Sequence, residues 1–198
     1  VTSAEVGVKW AFFENRLSTT AALFHMERQN TQIQIATGIY AQVGESMVQG
    51  LELGVSGRIT EAWEVTGGYT WMDSELVRSA NTAIAQQGQP LANTPEHSFS
   101  LVSSYALTER FAFGGGAYYV SDSFGGNQGG AGGGTNRVFA PAYWRFNLYA
   151  AYQVNERIGL QLNVNNVTDE EYIRTTNGVH HADFGAGRQA ILALNVRY

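Results

Sequence analysis

The chain has 198 residues, a formal net charge of −5, no cysteine and only 15% charged residues, against about 25% in ordinary soluble domains. Without cysteine there is neither a disulfide framework nor a thiolate metal site, and the acidic balance gives no footprint for nucleic acid. No run approaches the ~18 consecutive apolar residues of a spanning helix, so a membrane reading has to rest on strands; a mean hydropathy of −0.18 is compatible with that, because alternation hides an apolar face.

Alternation begins at once. Ala4, Val6, Val8, Trp10 and Phe12 oppose Glu5, Gly7, Lys9 and Ala11, which predicts a strand with one apolar face. After the polar junction Glu14-Asn15-Arg16, the noisier Leu17–Arg28 is read as a strand from spacing, and Gln29–Glu45 as a long loop. Leu51, Leu53 and Val55 then oppose Gly50, Glu52, Gly54 and Ser56. Past Thr60-Glu61, Trp63, Val65, Tyr69 and Trp71 oppose Glu64, Thr66, Gly68 and Thr70. Arg78–Pro95 is loop-like. His97–Leu107 and Phe111–Val120 are strands by spacing around Thr108-Glu109-Arg110, and Phe124–Phe139 is a third loop. Trp144, Phe146, Leu148, Ala150 and Tyr152 oppose Arg145, Asn147, Tyr149 and Ala151. Beyond Asn155-Glu156-Arg157, Ile158, Leu160, Leu162 and Val164 oppose Gly159, Gln161, Asn163 and Asn165. A fourth loop covers Val167–Gly185. In the last segment Ala190, Leu192, Leu194, Val196 and the terminal aromatic Tyr198 share one face, with Gln189, Asn195 and Arg197 on the other.

The short junctions recur with spacings of 46, 48 and 47 residues (15 to 61, 61 to 109, 109 to 156), one long loop lying between each pair. Short turns at one end and long loops at the other are the asymmetry of bacterial outer-membrane barrels; a soluble sandwich has no reason to sort its connections so. Charges inside the clean segments fall on the Gly/Asn/Ser side, as they must where Arg or Lys facing lipid costs about 2–4 kcal/mol. The expected fold is therefore all-β, an antiparallel transmembrane β-barrel, residues 1–198 supplying about nine C-terminal strands. Nine strands do not close a bacterial barrel, whose count is even, and no signal peptide is visible; the expectation is one portion of a single barrel domain, with earlier strands outside this sequence.

Several motifs sharpen this reading. Leu160-Gln-Leu-Asn-Val-Asn-Asn-Val-Thr-Asp-Glu-Glu-Tyr172, followed by Gly185-Ala-Gly187-Arg188, resembles the run that precedes the last strand in TonB-dependent outer-membrane receptors. Glu5-Val-Gly-Val-Lys-Trp10 with Arg16-Leu-Ser18 and Leu23-Phe24 is similar to that family's first hairpin here. Gln49-Gly-Leu-Glu-Leu53, Gly67-Gly-Tyr-Thr-Trp71, and Asn93-Thr-Pro95 with His97 follow in the family's order. The likeness runs over nearly the whole chain and is nearest to siderophore receptors of the catecholate branch. It implies a 22-stranded barrel in the bacterial outer membrane, with an N-terminal plug that lies outside this sequence. It further implies uptake of a ferric siderophore as transported ligand, energy from the TonB complex acting through that plug, contact with outer-membrane lipid, and insertion by the barrel-assembly machinery. Cobalamin, haem or a saccharide is the alternative cargo, and a soluble all-β binding module the alternative from another class. Tyr198 stands where the family more often has Phe.

Ferric siderophores are anionic and aromatic, so a receptor surface favours arginine and aromatic rings. The expected substrate-facing residues are Tyr40, Arg78, Arg137, Tyr143, Arg174, His180, His181 and Phe184 in loops, with Arg145 and Tyr149 lower in the lumen. Leu192, Leu194, Val196 and Tyr198 are the expected membrane-facing residues of the closing strand. His180, His181 and Asp183 are metal-ligand types, but neighbours on an extended chain point to opposite sides, and chelated iron needs no protein ligand; no metal or directly bound cofactor is expected. Gly125–Gly134 contains no phosphate-binding pattern and reads as a loop. Asn166-Val-Thr168 is a chance glycosylation match in a bacterial protein. No nucleophile–base arrangement or carboxylate pair stands out, so nothing supports an enzyme.

Overall fold

In the computed structural model the described residues are 1–36, 39–78, 87–127, 137–177 and 181–197, with the backbone alone for 31–36, 39–43, 127, 137 and 177. They form thirteen strands: β1 (Thr2–Phe12), β2 (Leu17–Ala36), β3 (Ile39–Arg58), β4 (Trp63–Arg78), β5 (His97–Ala106), β6 (Phe111–Val120), β7 (Ser123–Asn127), β8 (Arg137–Ala140), β9 (Tyr143–Gln153), β10 (Ile158–Asn165), β11 (Ile173–Asn177), β12 (His181–Phe184) and β13 (Gln189–Val196). Nine of them make one antiparallel sheet in the order β1-β2-β3-β4-β5-β6-β9-β10-β13, and β7–β8 and β11–β12 are separate hairpins. The nine are the segments expected from alternation and spacing, including the three noisy ones.

The short junctions turn for local reasons. At the first, Phe13, Glu14 and Asn15 all take positive φ, and Arg16 N–H closes on the Phe13 carbonyl at 3.1 Å. At the third, Thr108 Oγ1 accepts from the Arg110 and Phe111 amides. At the fourth, Asn155 Oδ1 accepts from the Arg157 and Ile158 amides at 2.9 Å each; short polar side chains that bond their own backbone make such turns.

Register carries one face across all nine strands. Val6 stands opposite Leu23, Leu23 opposite Leu51, Leu51 opposite Trp71. Tyr152 stands opposite Phe111 on one side and Leu160 on the other, and Leu160 opposite Leu194. Because side chains alternate with period two, this makes a continuous apolar surface, and it is bare: Leu192 is 70% exposed, Leu23 56% and Leu148 54%. No second sheet packs on it among the described residues, and a bare apolar face of this kind is what a barrel wall turns to lipid.

Two aromatic rows bound this surface. At the long-loop end Tyr119 and Trp144 lie 4.9 Å apart between ring centroids, with Phe99 6.1 Å from Trp144. At the short-turn end Tyr105 and Phe113 lie 5.9 Å apart. From Trp144 to Tyr152 the strand climbs roughly 26 Å at about 3.3 Å per residue, which after tilting suits an apolar band of about 25 Å.

The expected loop Gln29–Glu45 is instead mostly strand, since β2 runs on to Ala36 and β3 begins at Ile39. About 9–11 residues cross a bilayer, so a 20-residue strand stands well outside it. There neither face needs to be apolar, which is why alternation fails to mark it. For the same reason Phe124–Phe139 contains β7–β8 and Val167–Gly185 contains β11–β12. The tightest packing is also outside the band. Phe124 is 3% exposed, Ala140 5% and Asn166 1%. Asn166, placed at positive φ, accepts from the Glu170 amide and donates to the Glu170 and Ala186 carbonyls, so the chain enters β13 from a fixed knot.

Candidate ligand-facing site

The face opposite the apolar surface is the lumen side. Near the long-loop end it carries a cavity of about 330 Å³ lined by Tyr118, Tyr143 and Arg145 over the small residues Gly68, Ser98 and Ser100. Register puts Tyr118 opposite Arg145, and Val120 opposite Tyr143, so these side chains share one face. The Arg145 Cζ lies 4.6 Å from the Tyr118 ring centroid, within cation–π range. Tyr118 lies over Gly116, where a Cβ would meet its ring carbons at 2.8 Å. The Tyr143 and Tyr172 rings lie 4.4 Å apart between centroids, tilted by 31°, and a Cβ added at Gly185 would overlap the Tyr172 ring. The result is a guanidinium over one half-buried tyrosine ring and beside a second, suited to a flat anionic ligand.

The expected residues divide sharply. Tyr143, Arg145 and the deeper Tyr149, whose hydroxyl donates to Ser104 Oγ, fall on the lumen wall. Arg78, at the end of β4, is held by Glu45 at 3.1 Å. Arg174 is bonded to Asp183 across the β11–β12 hairpin; that hydrogen bond raises its pKa above the ordinary arginine value. Both arginines thus carry a carboxylate of their own, which weakens them as anion anchors. Phe184 is exposed, beside Asp169, Glu170 and Glu171, a setting that repels anions. His181 opposes Asn177 in β12. The side chains of Tyr40 and Arg137, and His180 and Tyr198 altogether, lie outside the described residues. Among the described residues no three His, Cys, Asp or Glu side chains are grouped to hold a metal ion.

Two partners escaped sequence reasoning. Tyr118 was readable only as the lumen-facing neighbour of Gly114 and Gly116. Asn93 was visible as part of a motif, without its role. Its Oδ1 accepts from the Thr176 amide at 2.8 Å and the Thr176 hydroxyl at 2.9 Å, and its Nδ2 donates to the Thr176 carbonyl at 2.8 Å. Its own amide donates to the Phe124 carbonyl at 2.8 Å. One residue thus ties the β4–β5 connection to both external hairpins.

Residues 1–167 match the family model described as "TonB dependent receptor-like, beta-barrel". The chain belongs to this family. It is 43% identical over 196 residues to "Probable TonB-dependent receptor BfrD" of Bordetella pertussis, covering 98% of this chain and 26% of that one. It is 37% identical over 176 residues to the catecholate siderophore receptor Fiu of Escherichia coli K12, covering 88% of this chain and 22% of Fiu. Among solved structures, the siderophore receptor PiuA from Acinetobacter baumannii superposes with a TM-score of 0.89 at 36% identity, over 99% of this chain and 28% of PiuA. The closed form of Fiu, described as a ferric-catecholate import receptor, gives 0.85 at 35%. The chain therefore spans about a quarter of the length of these relatives. The all-β barrel-wall fold expected from the sequence is that of the family.

Proposed function

We propose that residues 1–198 are the C-terminal nine strands and external loops of an outer-membrane receptor that imports ferric siderophores, with a catecholate chelate as cargo. The receptor is a transporter and not an enzyme. The observation that carries the reading is the nine-strand, in-register sheet with a single bare apolar face. Its edge strands β1 and β13 each leave a row of unpaired backbone groups, which lipid does not tolerate; further strands of the same barrel satisfy them. Membership of the family and the likeness to PiuA and Fiu support the cargo class. TonB-driven transport through a plug, lipid contact and insertion by the barrel-assembly machinery belong to the same reading.

Within it, Arg145, Tyr118 and Tyr143 contact the chelate. The guanidinium neutralises its charge and the rings stack on its catechols. The test is quenching of intrinsic fluorescence in the full-length receptor titrated with a ferric catecholate. Arg145→Ala is expected to weaken binding about tenfold, about 1.4 kcal/mol, and Arg145→Lys by less, since charge survives without the planar stack. Binding of cobalamin, haem or a saccharide in place of the ferric catecholate sinks the cargo assignment. Unchanged affinity in Arg145→Ala sinks the site assignment alone.

A further inference from the structure

The cavity beside Arg145 runs out onto a shelf of the lumen wall. Register sets Gly54, Gly68, Ser100, Tyr118 and Arg145 in one row across β3, β4, β5, β6 and β9. The next row toward the long loops holds Thr70, Ser98, Val120 and Tyr143. Ring and guanidinium thus stand at one end, and at the other end small residues leave the strands bare. Phe99 and Tyr119 of the apolar face border the same cavity, so its floor is the sheet itself. From Arg145 to Gly68 is three strand spacings, about 14 Å.

Gly68 has no steric reason to be glycine. Its φ is outside the left-handed region, and an added Cβ would meet one atom, the Leu53 carbonyl oxygen, at an ordinary 3.4 Å. Neighbouring glycines differ. A Cβ at Gly50, Gly67 or Gly114 would collide with the carbonyl oxygen of Trp71, Ser100 or Ser103 respectively, so the fold itself requires those three. A glycine inside a strand gives up packing and order; where the fold does not demand one, it marks the close approach of a ligand or of another backbone. Beside Gly68 the hydroxyls of Thr70, Ser98 and Ser100 line the cavity, and among the described residues they have no hydrogen-bond partner. Unfilled room floored by backbone and edged by free hydroxyls fits a flat ligand that carries oxygen atoms.

We propose that Gly68 is a specificity-determining position. It leaves room for one aryl arm of the chelate to lie across Ser100 and Gly68 while the charged iron centre sits against Arg145 and Tyr118. This deepens the ferric-catecholate reading of the same site and rests on it. At about 330 Å³, near the lower bound of ~300 Å³ for ligand pockets, the cavity takes a single arm and not a whole chelate. Thr70, Ser98 and Ser100 donate to the oxygens of that arm. A flat ring seats against bare backbone, and any larger side chain at position 68 lifts it away.

The test uses the full-length receptor in detergent, with the iron(III) complex of 2,3-dihydroxybenzoate as probe. Residues 1–198 contain no cysteine, so Gly68→Cys places a thiol on the shelf, and its alkylation is followed by peptide mass spectrometry. With the probe at about ten times its Kd, roughly nine-tenths of sites are filled and alkylation is expected to slow about tenfold. Thr66→Cys, on the same face of β4 and outside the cavity, is expected to react at one rate with and without the probe. A Gly68→Cys thiol that is unreactive in both states means that another part of the protein covers it. One that stays fast means that the probe does not reach it. Either result overturns the proposal, as does equal protection of Thr66→Cys. Gly68→Leu is expected to weaken binding of the probe at least about tenfold in fluorescence titration, with the thermal midpoint unchanged or raised because strands favour a side chain over glycine. A lowered midpoint would show that the fold needs this glycine, and would overturn the proposal too. Arg145→Ala judges the underlying reading separately. Undiminished binding in that variant removes the whole site, whereas weakened binding there with full affinity in Gly68→Leu removes Gly68 alone.

Discussion

Replacing Asn93 by alanine should loosen the roof of the lumen without disturbing the wall. Alanine removes the acceptor for the Thr176 amide and hydroxyl and the donor to the Thr176 carbonyl. Thr176 is 8% exposed, so water replaces these partners poorly. Two backbone hydrogen bonds at about 1 kcal/mol each come to roughly 2 kcal/mol. Asn93 also sits at φ 56, where an alanine Cβ costs about another 1 kcal/mol because it lacks the side-chain bonds that make asparagine tolerable there. The sum, about 3 kcal/mol, raises the local opening equilibrium of the β11–β12 hairpin about 150-fold. Native-state hydrogen exchange reads this directly: the Thr176 amide should exchange about two orders of magnitude faster, while amides of β9 and β10 stay unchanged. Asn93→Gly, which relieves the backbone cost, should recover about 1 kcal/mol of the loss. Asn93→Asp, which keeps the acceptor and loses the donor, should be milder than alanine. Unchanged protection of Thr176 in Asn93→Ala would show that the hairpin is held by something else, and equal acceleration throughout the sheet would show that Asn93 is not a local tie.

Three further substitutions test the wall and the aromatic pair. Leu148→Arg, on the bare apolar face and 54% exposed there, should lower stability in lipid vesicles by about 2–4 kcal/mol. Thr70→Arg, on the lumen side opposite Glu52, should cost much less, so equal urea midpoints would refute the assignment of faces. Gly185→Ala drives a methyl into the Tyr172 ring. Overpacking of this kind typically costs about 1–3 kcal/mol, and displacement of Tyr172 from Tyr143 should appear as a changed near-ultraviolet circular dichroism band; an unchanged spectrum would mean that the two rings are not in contact.

The sequence by itself determined the wall. A strand with one face in lipid must alternate at every second residue, and that demand is local, so Ala4 to Phe12 or Ile158 to Val164 declare their faces without reference to a partner. The short turns are equally local, because Thr108 and Asn155 bond only to amides within three residues of themselves. Once the strands leave the bilayer the demand lapses, and β2 beyond Arg28 and the two external hairpins became legible only in three dimensions. The fate of each charge was likewise a tertiary decision. Arg78, Arg174 and Arg145 look alike in the sequence; the fold sets a carboxylate beside the first two and a tyrosine ring beside the third. Asn93 bonds to a residue 83 positions away. Contacts between residues so far apart leave no periodic trace, so the wall was readable in advance and the roof and the lumen's charges were not.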